Sequence, residues 1–188
     1  MIHIPTIFKD VFLIKPKIFR DMRGSFSEKF VHKDFENILG KKIKFCQDNL
    51  TYSKKGVLRG LHFQLPPFAQ SKLVSVFQGK VLDVVLDVRK GSSTLGKHLI
   101  VELSDENQLQ LFVPRGFAHG YITLSETSIF HYKVDEYYHP ESEGSIAADD
   151  KDLGINWGLP KSEWILSEKD KNHPKFSGIG LFDYNENL

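Results

Sequence analysis

Residues 56–64 read GVLRGLHFQ, and two of them break the character of the rest. Val57, Leu58, Leu61 and Phe63 are branched or aromatic and suit a pleated, half-buried surface. Inside a fold Arg59 needs a partner or an anionic ligand. His62 is the residue type that most readily exchanges a proton near neutral pH. A second histidine, His119, lies in PRGFAHGYIT, and Lys72 opens the run KLVSVF. A histidine can remove a proton from carbon, and a lysine can stabilise a developing oxyanion much as a Lewis-acidic metal does. Together they suit enolisation, the removal of a proton next to a carbonyl. Reprotonation from the opposite side needs an acid across the pocket, and HYKVDEYYHP at 131–140 supplies tyrosines. Strand alternation puts Phe130, Tyr132 and Val134 on one face and His131 and Lys133 on the other. Tyr132 thus points with the apolar residues, as a pocket-facing acid should. Its register favours it over Tyr138, and Tyr137 has the weakest claim.

The two histidine segments resemble the two cupin motifs. GLHFQ…QSKLVSVFQGKV is similar to the first, and Pro114, Gly116 and His119 give the P-x-G-x-x-H spacing of the second. Two of the motif histidines, His62 and His119, remain, but the rest of the ligand pattern is replaced. His62-Phe63-Gln64 stands in place of H-x-H, Lys72 in place of a glutamate, and Thr123 in place of an asparagine. An ammonium group repels a divalent ion and offers it no lone pair, so no metal is expected. Asp83 interrupts the apolar run VLDVV and either neutralises Lys72 or orients a histidine.

Strands must hold these side chains. Two apolar runs around 72–77 and 80–88 flank Gln78-Gly79 and read as a hairpin. HLIVEL and QLQLFVP flank the polar turn SDEN, PRG makes a turn at 114–116, and FAHGYITL and SIFHYKV flank SET. Short strands at this spacing predict an antiparallel sandwich or barrel. Regular alternation would put Arg59 and His62 on opposite faces, so a bulge is expected at Gly60. HKDFENILG at 32–40 predicts a short helix ended by Gly40. LSEKD at 166–170 predicts a turn of helix with Ser167 as N-cap and Asp170 at the third position. Trp157 and Trp164 read as packing residues. Residues 1–188 read as one domain, with a peripheral tail rich in Gly and Asn from Ser177 to Leu188.

Lys and Arg number 25 against 24 Asp and Glu, so the chain lacks the basic footprint of a general nucleic-acid binder. A local arginine cluster for a small anion remains compatible with that balance. The single cysteine, Cys46, allows no internal disulfide and suits a reduced compartment; it reads as a small strand residue. Lys9 and Asp10 interrupt the apolar character of the N-terminus, and no later run is long enough to span a bilayer. No signal peptide, no membrane association and a cytoplasmic location are expected.

The chain resembles the dTDP-4-dehydrorhamnose 3,5-epimerases. The resemblance runs in order through FRDMRGSFSEKF at 19–30, CQDN, GVLRGLHFQ, QSKLV, GFAHGY, YKVDEYYHPESEGSI, DLGINW and LSEKD. It implies an all-β, cupin-type jelly-roll barrel with a few short helices. It also implies a homodimer that exchanges N-terminal strands, and no metal or organic cofactor. The implied reaction converts dTDP-4-keto-6-deoxy-D-glucose to dTDP-4-keto-L-rhamnose. His62 would be the base at C5 and then C3, Asp170 its partner, Lys72 the enolate stabiliser and Tyr132 the acid. His119 would line the sugar pocket. Arg23, Arg59, Gln47 and Asn49 would meet the phosphates and deoxynucleoside, and a guanidinium fork matches diphosphate oxygens well. Phe19, Glu28 and Tyr138 would hold the base, partly from the neighbouring subunit, with Glu143 and Lys169 as further contacts. The chain departs from the family pattern at Ala147-Ala148 and at Trp157-Gly158, which bears on the exact substrate. A single-centre epimerase shares the same base and oxyanion donor. A non-catalytic sugar-nucleotide binder would have lost His62, Asp170 or Tyr132, and all three are present.

Overall fold

The computed structural model describes residues 1–178 and 181–183. Its strands, in chain order, begin with β1 (Ile2–Pro5), β2 (Phe12–Lys15), β3 (Ile18–Asp21) and β4 (Gly24–Ser27). The helix α1 (His32–Leu39) follows, then β5 (Gln47–Lys54), β6 (Leu58–Gln64), β7 (Lys72–Gln78), β8 (Lys80–Asp87) and β9 (Arg89–Lys90). The last are β10 (His98–Ser104), β11 (Gln110–Val113), β12 (Phe117–Thr123), β13 (Thr127–Val134), β14 (Glu143–Ser145) and β15 (Phe182–Asp183). A six-stranded sheet in the order β1-β2-β11-β7-β13-β5 faces a five-stranded sheet in the order β10-β8-β12-β6-β14. The larger strands cross from one sheet to the other at nearly every connection, which makes the fold a cupin-type jelly roll.

This crossing corrects the hairpin expected at Gln78-Gly79. β7 pairs with β11 and β13, whereas β8 pairs with β10 and β12. Gly79 instead forms a corner between sheets, at φ +78°, where a Cβ would lie 2.2 Å from the Thr127 carbonyl oxygen. Likewise β10 and β11 lie in different sheets, as do β12 and β13. Turn residues specify that the chain reverses; they do not specify which neighbour it then joins.

Alternation explains the three layers of core. Val74, Val76, Leu111, Val113 and Phe130 of the six-stranded sheet meet Val81, Val85, Leu103 and Phe117 of the other. Val84, Leu86, Ala118 and Ile122 point the opposite way and are covered by Ile146, Ala148, Leu153 and Trp157. On the six-stranded side, Phe12, Leu73 and Phe112 pack against Phe35 of α1. That helix ends as expected, with Gly40 left-handed at φ 72° and its N–H donating to Glu36.

Ala147 and Ala148 are buried, and the Ala148 carbonyl accepts the Trp157 indole N–H at 2.8 Å. Trp164 meets Trp157 edge-on. Cys46 sits just ahead of β5, where its thiol donates to the Val134 carbonyl. LSEKD leads into a 3₁₀ turn at Asp170–Asn172. The turn opens from Lys169 rather than Ser167 and makes Asp170 its first residue, not its third. Ser167 still bonds Asp170, its Oγ accepting the Asp170 N–H at 3.1 Å and donating to Asp170 Oδ2 at 2.7 Å. The expectation of a peripheral tail needs correction at one point. Phe182 is 2% exposed, packs on Phe63, and lies in β15, parallel to β9. Residues 179–180 and 184–188 lie outside the described residues. No helix among the described residues is long and apolar enough to cross a membrane.

Candidate active site

The site begins with an irregularity in β6. His62 lies opposite His119 on β12, and Arg59 lies opposite Tyr121, so three steps on β6 match two on β12. The extra residue is the expected bulge. Gly60 makes it possible at φ +117°: a Cβ there would stand 2.6 Å from Gly120 Cα. The converse holds at Gly120, where a Cβ would meet the Arg59 carbonyl oxygen at 2.7 Å. These two glycines let the strands approach closely enough for Arg59 and His62 to line the same cavity.

That cavity encloses about 170 Å³ between the sheets. Its lining includes Arg59, His62 and His119 from the five-stranded sheet and Thr51, Lys72, Phe130 and Tyr132 from the six-stranded sheet. Asp170 enters from its 3₁₀ turn. The volume is below the roughly 300–1,000 Å³ of a site that swallows a drug-sized ligand, so a nucleotide attached to a sugar held here must lie outside it. His62 Nε2 stands 2.7 Å from Asp170 Oδ1. The contact is short enough to be charge-assisted, although the ring N–H is bent away from good hydrogen-bond alignment.

Burial would raise the Asp170 pKa. The His62 and Ser167 contacts and the charges of His62 and His173 outweigh burial and bring it down to about 2. Asp170 is therefore a carboxylate throughout the working range. Lys72 lines the open cavity and keeps some exposed surface, yet desolvation brings its pKa down to about 8, against the opposing pull of Asp83 and Glu143. Burial, followed by Tyr121, raises the Tyr132 pKa, with Arg59 pulling against them, so the phenol stays protonated. Asp83 is fully buried, and both its oxygens lie 2.9 Å from His119 Nε2. Of the two roles left open for Asp83, contact distance assigns it to the histidine; Lys72 feels it electrostatically.

The other candidates lie outside the cavity lining. Gln47 donates to Asn49 at 2.8 Å on β5, and alternation puts both on the face of Thr51. Tyr138 donates to Glu143 at 2.6 Å, and Lys169 also bonds Glu143. Glu143 lies on β14 beside β6 and feels the His62 charge. Phe19, Arg23 and Glu28 are likewise not among its lining residues. Phe19 and Arg23 belong to the β3–β4 hairpin, which pairs with itself, and Arg23 is ion-paired to Asp21. The sequence did not single out Thr51 and Tyr121 as lining residues, whereas Phe130 lies where alternation with Tyr132 puts it. Tyr121 bonds Thr51 at 2.6 Å and stacks on Phe130. Alternation from His119 was the available signal for Tyr121.

His62, Asp170 and His173 each bring one possible ligand atom within 4.8 Å of the others. The set suits a proton better than a metal ion. Two donors around tetrahedral zinc, with bonds of about 2.0–2.2 Å, stand roughly 3.3 Å apart, whereas His62 Nε2 and Asp170 Oδ1 are only 2.7 Å apart. A histidine with its carboxylate on one wall and a lysine with a phenol on the other can take up a proton, stabilise an oxyanion and return a proton, which is the equipment of a jelly-roll enzyme of the isomerase class.

The relatives narrow that class. The dTDP-4-dehydrorhamnose 3,5-epimerase family profile matches residues 5–178. The dTDP-4-dehydrorhamnose 3,5-epimerase of Shigella flexneri is 48% identical over 179 residues, covering 95% of this chain and 98% of the relative. The crystal structure of the enzyme of that name from Elizabethkingia anophelis is 50% identical, with a TM-score of 0.91, covering 96% of this chain and 98% of that one. The dTDP-6-deoxy-D-glucose-3,5-epimerase of Legionella pneumophila, crystallised with dTDP-4-keto-L-rhamnose, is 44% identical with a TM-score of 0.92 and covers 98% of each chain. The chain belongs to the dTDP-4-dehydrorhamnose 3,5-epimerase family.

Proposed function

We propose that the protein converts dTDP-4-keto-6-deoxy-D-glucose to dTDP-4-keto-L-rhamnose by two successive enolisations. His62 takes the C5 proton, and the electron pair moves through the new C4–C5 double bond onto the ketone oxygen. Lys72 stabilises that oxyanion. Tyr132 then protonates C5 from the other side, inverting it. Solvent takes the proton from His62 and reprotonates Tyr132, and the cycle repeats at C3. Proton transfers alone leave the oxidation state of the sugar unchanged, so the chemistry calls on no redox cofactor. The carrying observation is that His62 and Asp170 face Lys72 and Tyr132 across one cavity.

The nucleotide extends from the cavity over Arg59, Gln47 and Asn49, with Tyr138, Glu143 and Lys169 at the rim. Phe19, Arg23 and Glu28 serve the site of a second copy in a homodimer with exchanged N-terminal strands. The exposure of Phe19, Met22 and Phe26 on a self-paired hairpin supports this arrangement. So do Leu50, Tyr52 and Phe77, large apolar side chains exposed on β5 and β7 of the six-stranded sheet. A nucleotide-activated sugar and a free Cys46 both suit the cytoplasm. The test is NMR of the sugar after incubation with dTDP-4-keto-6-deoxy-D-glucose. The wild type gives the doubly inverted product and His62→Asn does not. Wild-type turnover by His62→Asn would remove His62 as the base.

A further inference from the structure

The turn that carries Asp170 also leads to a histidine with no role so far. His173 caps the 3₁₀ turn Asp170–Asn172, and its side chain is 3% exposed. Its ring stands edge-on to His62, with centroids 5.1 Å apart at 75°. Its Nε2 lies 3.5 Å from Asp170 Oδ1, the same oxygen that His62 approaches to 2.7 Å. Ser167 occupies Oδ2, so two imidazoles converge on Oδ1. Burial, then the nearby His62, pushes the His173 pKa down, against the pull of Asp170, so the ring is neutral at pH 7. The other charges facing this cluster are Lys169, beside it in sequence, and Glu143 on β14, which are paired with each other. Lys72 lies across the cavity and feels Glu143.

We propose that His173 is a positioning residue for proton transfer: it shares Asp170 Oδ1 with His62 and so limits how firmly Asp170 holds a proton on His62. The inference rests on His62 being the base. Its value lies in the two-centre reaction. One histidine must be emptied between the C5 and C3 steps, and a carboxylate that bound the imidazolium too tightly would delay that release. At 3.5 Å and out of hydrogen-bond alignment, His173 is the weaker claimant on that oxygen; an N–H swung onto it during turnover would stabilise the carboxylate and weaken its pull on His62.

The test is the pH dependence of kcat/KM for wild type, His173→Leu and His173→Gln. His173→Leu removes the shared donor, and the acidic limb moves up by about half to one pH unit, with KM unchanged. His173→Gln, whose amide reaches the position of Nε2, returns the limb toward wild type. If His173→Leu does not fold, His173→Met supplies the flexible apolar replacement and the same limb is read. An unmoved limb in the apolar variant, or an equal displacement in His173→Gln, overturns the proposal, because a purely structural role lowers the curve without shifting it. His62→Asn in the same assay separates the two readings. Its inactivity keeps the base assignment whatever His173 does, and its activity removes the foundation.

Discussion

Replacing Asp170 with asparagine removes the carboxylate from His62 while keeping nearly the same volume and a hydrogen-bonding oxygen beside Ser167. The Asp170 pKa falls from an ordinary 3.8 to about 2 despite burial. Close to two units at about 1.36 kcal/mol each, discounted for water in the open cavity, leaves roughly 1–2 kcal/mol. His62 supplies part of that stabilisation, and Ser167 and His173 supply the rest, so the lower end of the range belongs to the His62–Asp170 pair. Asp170→Asn should therefore lower kcat/KM by about 5-fold and move its acidic limb down by about one unit. Stability follows the same sign. A folded pKa below the unfolded one stabilises the native state above pH 3.8, and the contribution disappears as pH falls through about 2. Urea unfolding should thus find the variant about 1–2 kcal/mol less stable at pH 7, with the gap closing in acid. Activity within twofold of wild type together with an unmoved limb would refute the coupling.

Lys72→Met should lower kcat by about 10²- to 10³-fold by removing the oxyanion partner. It should also raise Tm at pH 7. A lysine pKa reduced to about 8 marks a buried charge that costs stability below that pH, a cost that fades as pH rises from 8 toward 10.5. An unchanged kcat in rapid-mixing assays would exclude Lys72 from the chemistry. Tyr132→Phe should still incorporate solvent deuterium at C5 but with retained configuration, because His62 returns the label to the face it came from; NMR distinguishes this from inversion. Neither Arg23→Ala nor His62→Asn should turn over well alone, yet refolding them together should restore about a quarter of wild-type activity through heterodimers with one intact site. No recovery would mean that the hairpin serves its own chain.

Which of the candidate residues share the cavity was largely legible because it rests on residue type and strand period. Phe130 and Tyr132 share the inward face, while His131 and Lys133 meet Asp48 on the other, as alternation requires. Gly60 announced the bulge because Arg59 and His62 could not otherwise face one cavity. Sheet membership was not legible. Gln78-Gly79 is a sound turn signal, but the partners of β7 and β8 are strands that lie later in the chain, between His98 and Val134, and no local signal names them. His173 escaped notice because it lies in an irregular segment with no period to report its direction. Phe182 was passed over with the Gly- and Asn-rich tail that contains it, although its ring is buried and packs on Phe63.

The central claim is that one base enolises the substrate toward both neighbours of the ketone. Its most direct test is incubation of the wild type with dTDP-4-keto-6-deoxy-D-glucose in deuterium oxide, followed by mass spectrometry and NMR of the sugar. The account predicts one deuterium at C5 and one at C3, both with inverted configuration. Label at only one carbon, or an inverted product without label, would contradict it.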